Sequence, residues 1–119
     1  MTENKFTAQV RSQPGMVTID LAGEINSLAE EALNRAFSEA EAFNPRTIVL
    51  NFSHVTYINS TGIALIVSLL ARARKSNRAM AVFGLTEHYL EIFQITRLAD
   101  FIDIYPDESS ARQAALLAS

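Results

Sequence analysis

The sequence predicts an α/β fold: a mixed sheet of four to five strands, the later ones joined through helices. Apolar and polar residues alternate on either side of an early Pro14-Gly15 pair, and farther on short apolar runs take turns with segments of helical period. Composition sets the scale, since 119 residues that are 49% hydrophobic supply one core of ordinary size and not two.

Phe6, Ala8 and Val10 alternate with polar neighbours between Lys5 and Arg11, as do Val17, Ile19 and Leu21, so each segment reads as a half-buried strand. Pro14 suits the first central position of a turn and Gly15 the second, where φ is positive, which makes the connection a hairpin. After Gly23-Glu24-Ile25-Asn26 the period becomes helical. Leu28, Ala32, Leu33, Ala36, Phe37 and Ala40 share one face, and Glu30, Glu31, Glu39 and Glu41 read as its solvated side. Ser27 and Glu30 have capping-box spacing, and Asn44-Pro45 ends the helix.

Thr47 to Phe52 is a continuous apolar run, the mark of a strand covered on both faces. His54 reads as a loop residue ahead of a second helix, Ser60 to Ser76. That helix is apolar nearly all round until Arg72, Arg74 and Lys75, so it is either deeply buried or lends surface to a partner. Ala79 to Phe83 is another buried strand, and Thr86 caps a third helix running to about Ile95. Ile102 to Tyr105 is the last strand, and Asp107 caps a closing helix to Leu117. Strands that alternate with helices run parallel through right-handed crossovers, and the initial hairpin makes the sheet mixed.

Ten basic against thirteen acidic side chains leave a net charge of −3, with no broad attraction to nucleic acid or to an anionic membrane. No window reaches the roughly 18 apolar residues of a membrane span, and no basic segment followed by an apolar one opens the chain. The expectation is a soluble, cytoplasmic protein. With no cysteine and two histidines, neither a disulfide nor a metal site is expected. No Gly-rich phosphate loop occurs, so no cofactor is expected either.

Chemistry concentrates at Tyr57-Ile58-Asn59-Ser60-Thr61-Gly62, where hydroxyls meet the unpaired N–H groups and positive end of a helix. From this spacing, Ser60 or Asn59 caps the helix, or Ser60 takes a phosphate, adding roughly −1.5 to −2 charge at a point that leaves the fold intact and repels a docked partner. A nucleophile elbow is disfavoured, because Ile58 stands where the strained turn needs glycine. Nothing gathers His54 or His88 with Asp20, Asp100, Asp103 or Asp107 into a triad. The basic cluster Arg72, Arg74, Lys75 and Arg78 reads as helix-end solvation.

At these residues the chain resembles STAS domains, and among them the stand-alone bacterial anti-sigma-factor antagonists. The likeness lies in Gly23-Glu24-Ile25-Asn26, in Asn51-Phe52-Ser53-His54-Val55 followed by Tyr57 to Ile63, and in Ala81 to Leu85, Ile92-Phe93, Thr96-Arg97-Leu98 and Phe101-Ile102. It runs over about residues 6 to 117, which implies a single STAS domain over 1–119 with helices packed mainly on one face of the sheet.

The resemblance implies a binding switch in stress-response transcription and not an enzyme. The unmodified protein sequesters an anti-sigma factor that is also a serine kinase; phosphorylation separates the pair, and a cognate phosphatase resets it. The acceptor falls on Ser60, with Thr61 the alternative, and the partner surface on Asn26, Asn59, Ser60, Thr61, Gly62 and Ile63. Asn26 and Asn59 stand where the family most often has Asp, so neutral carboxamides replace two carboxylates beside the acceptor. The resemblance also fits a monomer or weak dimer, and, as alternatives, a STAS subunit of a lipid or solute transport system or an unphosphorylated STAS adaptor.

Overall fold

Pro14 and Gly15, the latter at φ +80°, form a two-residue turn that sets Gln13 opposite Met16. In the computed structural model, which describes residues 6–117, this turn joins β1 (Thr7–Gln13) to an antiparallel β2 (Met16–Ile25). Three parallel strands follow in the spatial order of the sequence: β3 (Thr47–Ile58), β4 (Ala79–Phe83) and β5 (Asp103–Tyr105). The crossovers carry α1 (Glu30–Ala42), α2 (Ser60–Lys75) and α3 (Glu87–Ile95), and α4 (Glu108–Leu117) closes the fold.

Because side chains alternate across a strand, the sheet has two cores. Val17, Ile19, Leu21, Ile48, Leu50, Phe52 and Val82 meet Leu33 and Phe37 of α1, Ile66 and Leu69 of α2 and Phe93 of α3. The other face is thinner: Met16, Val49, Ala81 and Phe83 meet Ala111 and Ala115 of α4, with half-buried Tyr105 packed against them. The helices thus lie mainly on one face. α2 divides its apolar surface, burying Ile66, Leu69, Leu70 and Ala73 while Ala64, Val67 and Ala71 stay exposed.

Several sequence expectations are corrected. β2 continues to Ile25 and β3 to Ile58, so His54 lies in a strand and not in a loop. Ser53, His54, Thr56 and Tyr57 are exposed, so no apolar period marks this stretch. Leu28 leaves the apolar face of α1 and is 71% exposed, because residues 27–29 form a tighter 3-10 turn whose rotation per residue differs from that of an α-helix. Glu41 is not a solvated bystander: its carboxylate accepts from Arg72 at 2.6 Å, and the Arg72 guanidinium lies over the Phe37 ring. The basic cluster is dispersed among structural contacts, with Arg74 over Phe101 and Arg78 donating to the Pro45 carbonyl.

α4 is held by charge as well as by its alanines. Arg11 donates to Asp20 at 2.5 and 2.9 Å and to Glu108 at 3.0 and 3.1 Å, joining β1, β2 and α4. Asn51 and Gln13 add bonds to the same two carboxylates. Partial burial by itself would raise the Asp20 pKa, but hydrogen bonds from Arg11 and Asn51 outweigh it and the net shift is downward. The Glu108 pKa is lowered first by its bond from Arg11.

Both carboxyls titrate lower in the folded chain. Their stabilisation is therefore complete above the unfolded carboxylate range, about pH 4 to 4.5, and is lost as pH falls through the folded values. Urea melts across pH are expected to show stability falling below about pH 4.5, and Arg11→Ala is expected to flatten that fall and to cost roughly 1 kcal/mol at pH 7. Gly84 has φ +82°, and a Cβ there would run into the Ser53 hydroxyl and backbone. Gly84→Ala is expected to cost about 2 to 4 kcal/mol in the same melts.

Candidate functional site

The site is made by two strand ends that stop side by side. Asp20 pairs with Asn51, Ala22 with His54 and Glu24 with Tyr57, so β3 inserts one extra residue in each of two irregular steps. One insertion would flip the alternation of side chains; two restore it. Ile25 and Ile58 consequently pair and are both buried in the larger core. The next residue of each strand is an asparagine, and each asparagine starts a helical turn.

Asn26 Oδ1 accepts from the Leu28 N–H at 2.9 Å and caps the turn that leads into α1. The capping box expected at Ser27 does not form, since the turn begins one residue earlier. Asn59 Oδ1 accepts from the Gly62 N–H at 2.8 Å and caps α2, which settles the choice left open between Asn59 and Ser60. The Asn59 N–H in turn donates to the Ile25 carbonyl at 3.3 Å, tying the two loops together. Gly62 is required by contact: a Cβ there would strike the Ile25 carbonyl and the Ile58 side chain.

Of the residues expected at the site, Ser60 and Thr61 are exposed on the first turn of α2, and Asn26 and Asn59 are half-buried beneath them. Gly62 is buried and half-buried Ile63 packs on the core, so these two hold the site in place. Ser60 is thus a hydroxyl at a positive helix end with no acidic residue in the first turn.

Tyr89 and Leu28 carried no sequence signal for this site, whereas Val67 lies on the apolar second helix that the sequence already offered as partner surface. Tyr89 of α3 accepts from the Ile58 N–H at 2.9 Å, a buried bond that fixes the strand end from beneath. Leu28 and Val67 are exposed apolar side chains, respectively on the capped turn after β2 and on α2. Three of the four aspartates that a triad could use are engaged elsewhere, Asp20 with Arg11, Asp100 with Arg97, and Asp107 as the cap of α4, while exposed His88 lies against the Tyr89 ring. Among the described residues no group of carboxylates and histidines is arranged to hold a metal ion, and no helix is long and apolar enough to cross a membrane.

An anti-sigma-B factor antagonist of Listeria monocytogenes is 26% identical over 88 residues, 74% of this chain and 77% of the relative. The structure is similar to an anti-sigma factor antagonist from Mycobacterium paratuberculosis, with a TM-score of 0.80 at 22% identity, covering 93% of this chain and 94% of the other. It is also similar to the Bacillus cell fate determinant SpoIIAA in its phosphorylated form, with a TM-score of 0.69 at 19% identity, covering 91% of this chain and 99% of the other. Residues 7–111 match the sequence profile of the STAS domain, and the chain belongs to that family.

Proposed function

We propose that this chain is an anti-sigma-factor antagonist: a single cytoplasmic STAS module that holds an anti-sigma factor with serine-kinase activity while Ser60 is unmodified, and lets it go once Ser60 is phosphorylated. The observation that carries the reading is the division of labour at the start of α2. Asn59 supplies the cap, so the Ser60 hydroxyl is exposed and not needed by the fold. Thr61, also exposed, is the alternative acceptor. The names of the relatives and the phosphorylated form of one structural neighbour support the assignment.

The partner surface runs from Ser60 along the outer stripe of α2. Ala64, Val67, Ser68 and Ala71 follow it at helical spacing and are all exposed, giving a low ridge against which another chain packs closely. Exposed Leu28 extends the apolar part of that surface. A phosphate on Ser60 places roughly −1.5 to −2 charge at one end of the ridge, where the helix N-terminus accepts it and a desolvated interface does not. The role is to bind and not to catalyse, a reading that the regulatory names of the relatives support. A cognate phosphatase completes the cycle.

Incubation with the cognate serine kinase and ATP is expected to add a single phosphate, about 80 Da, that maps to Ser60 and is lost in Ser60→Ala. Ser60→Glu is expected to weaken binding of the anti-sigma factor at least tenfold, about 1.4 kcal/mol, whereas Ser60→Ala binds and resists release. Label outside Ser60 and Thr61, or equal affinity of Ser60→Glu and the parent by calorimetry, overturns the mechanism.

A further inference from the structure

A second surface lies at the far edge of the sheet. β5 pairs only with β4, and among the described residues no backbone hydrogen bond reaches its outer side. Beside it runs an open groove of about 630 Å³, walled by Leu85, Leu90, Ile102 and Ile104, with Gln94 and Asp103 at its lip. An edge strand next to an apolar groove offers both main-chain pairing and side-chain pockets.

The charge along the segments that build it is one-sided. From Glu87 to Glu108 stand six carboxylates and one cation, Arg97, in a chain whose net charge is only −3. Arg97 answers Asp100 and Arg11 answers Glu108, while Glu87, Glu91, Asp103 and Asp107 have no ion-pair partner among the described residues. Glu87, Leu90, Glu91 and Gln94 follow the i, i+3, i+4, i+7 spacing of one helical stripe. Since Leu90 and Gln94 line the groove, the exposed Glu87 and Glu91 border it.

We propose that this edge takes an extended, basic segment of a partner protein as a sixth strand beside β5. The alternation of the sheet fixes the segment's pattern. Ile104 packs with the α3 side and Tyr105 with the α4 side, so Asp103 shares the side of Tyr105. Apolar residues of the added strand then lie over the groove, and the alternate Lys or Arg residues meet Asp103. The surface is separate from the Ser60 face: Tyr89 is the α3 residue tied to the Ile58 strand end, whereas Leu90 and Gln94 are those that line the groove.

The probe is an acetylated, amidated peptide of alternating Lys and Val, titrated into the full chain labelled with 15N. Its control is the same peptide N-methylated at every second residue, which keeps the charge and removes the pairing edge. The plain peptide is expected to shift amides of residues 87–94 and 102–106, to slow exchange at the outer amides of β5, and to bind at least tenfold tighter than its control. Asp103→Lys and Gln94→Arg, both at exposed positions, are each expected to weaken it at least tenfold, and Ser60→Glu is expected to leave it unchanged. Equal binding of the two peptides would mean charge attraction alone and overturns the proposal. Shifts without slowed exchange in β5 would mean a small-ligand type of pocket, and no binding at about 1 mM would mean a closed edge; either result overturns it as well.

Discussion

The candidate site depends on one steric constraint, the pressure of Gly62 on the Ile25 carbonyl. That contact lets the first turn of α2 sit directly on the end of β2, with the Asn59 N–H donating to the same carbonyl. Any side chain at Gly62 would have to push the helix off the strand or break the Ile25–Ile58 pairing. The two irregular steps in β3 serve the same end, because only an even number of inserted residues brings both isoleucines back into the larger core while lengthening the strand. The asparagines that follow are then neighbours by construction, and so are the helical turns they cap.

The two faces of the sheet are stabilised differently, and the difference bears on what each surface can do. The α1–α3 face is a packed apolar core, with Phe37 and Phe93 fully buried, where truncation to alanine typically costs about 3 to 5 kcal/mol. α4 covers the other face with two alanines, and its position relies on Arg11 gripping Glu108 and Asp20 together. A rigid core beneath α2 and α3 suits helices that present surfaces to partners, since the backbone there has little freedom to lose on binding.

Much of this arrangement was legible in the residues. The Pro14-Gly15 turn, the buried run of β4 and the caps at Thr86 and Asp107 are local signals, and each lies where local chemistry puts it. What was not legible is tertiary. The second half of β3 is held by pairing to β2 and by the Tyr89 hydroxyl, neither of which leaves a period in the sequence. Leu28 has the spacing of a core residue and misses the core because the chain enters α1 through a 3-10 turn. At the site, the motif pointed to Asn59 and Ser60 together; only the geometry divides their roles. That division follows from position, since Asn59 is the extended residue just before the helix, from where its carboxamide reaches the Gly62 N–H, while Ser60 is already the first helical residue and is exposed.

Neutral asparagines at both caps also change the electrostatics of that hydroxyl. Two carboxylates in their places would partly cancel the positive end of α2 and repel an incoming phosphate over a few ångströms, an interaction worth about 4 kcal/mol per unit charge pair at 4 Å near a protein surface before screening. With Asn26 and Asn59 the caps persist, because a carboxamide oxygen accepts the same N–H bonds, and the repulsion is gone. A phosphate on Ser60 would then meet the helix N–H groups and their dipole alone. Its destabilising effect would fall on whatever covers the α2 ridge and not on the fold beneath it. The features that keep this domain folded and the feature that would switch it are thereby carried by different atoms of adjacent residues.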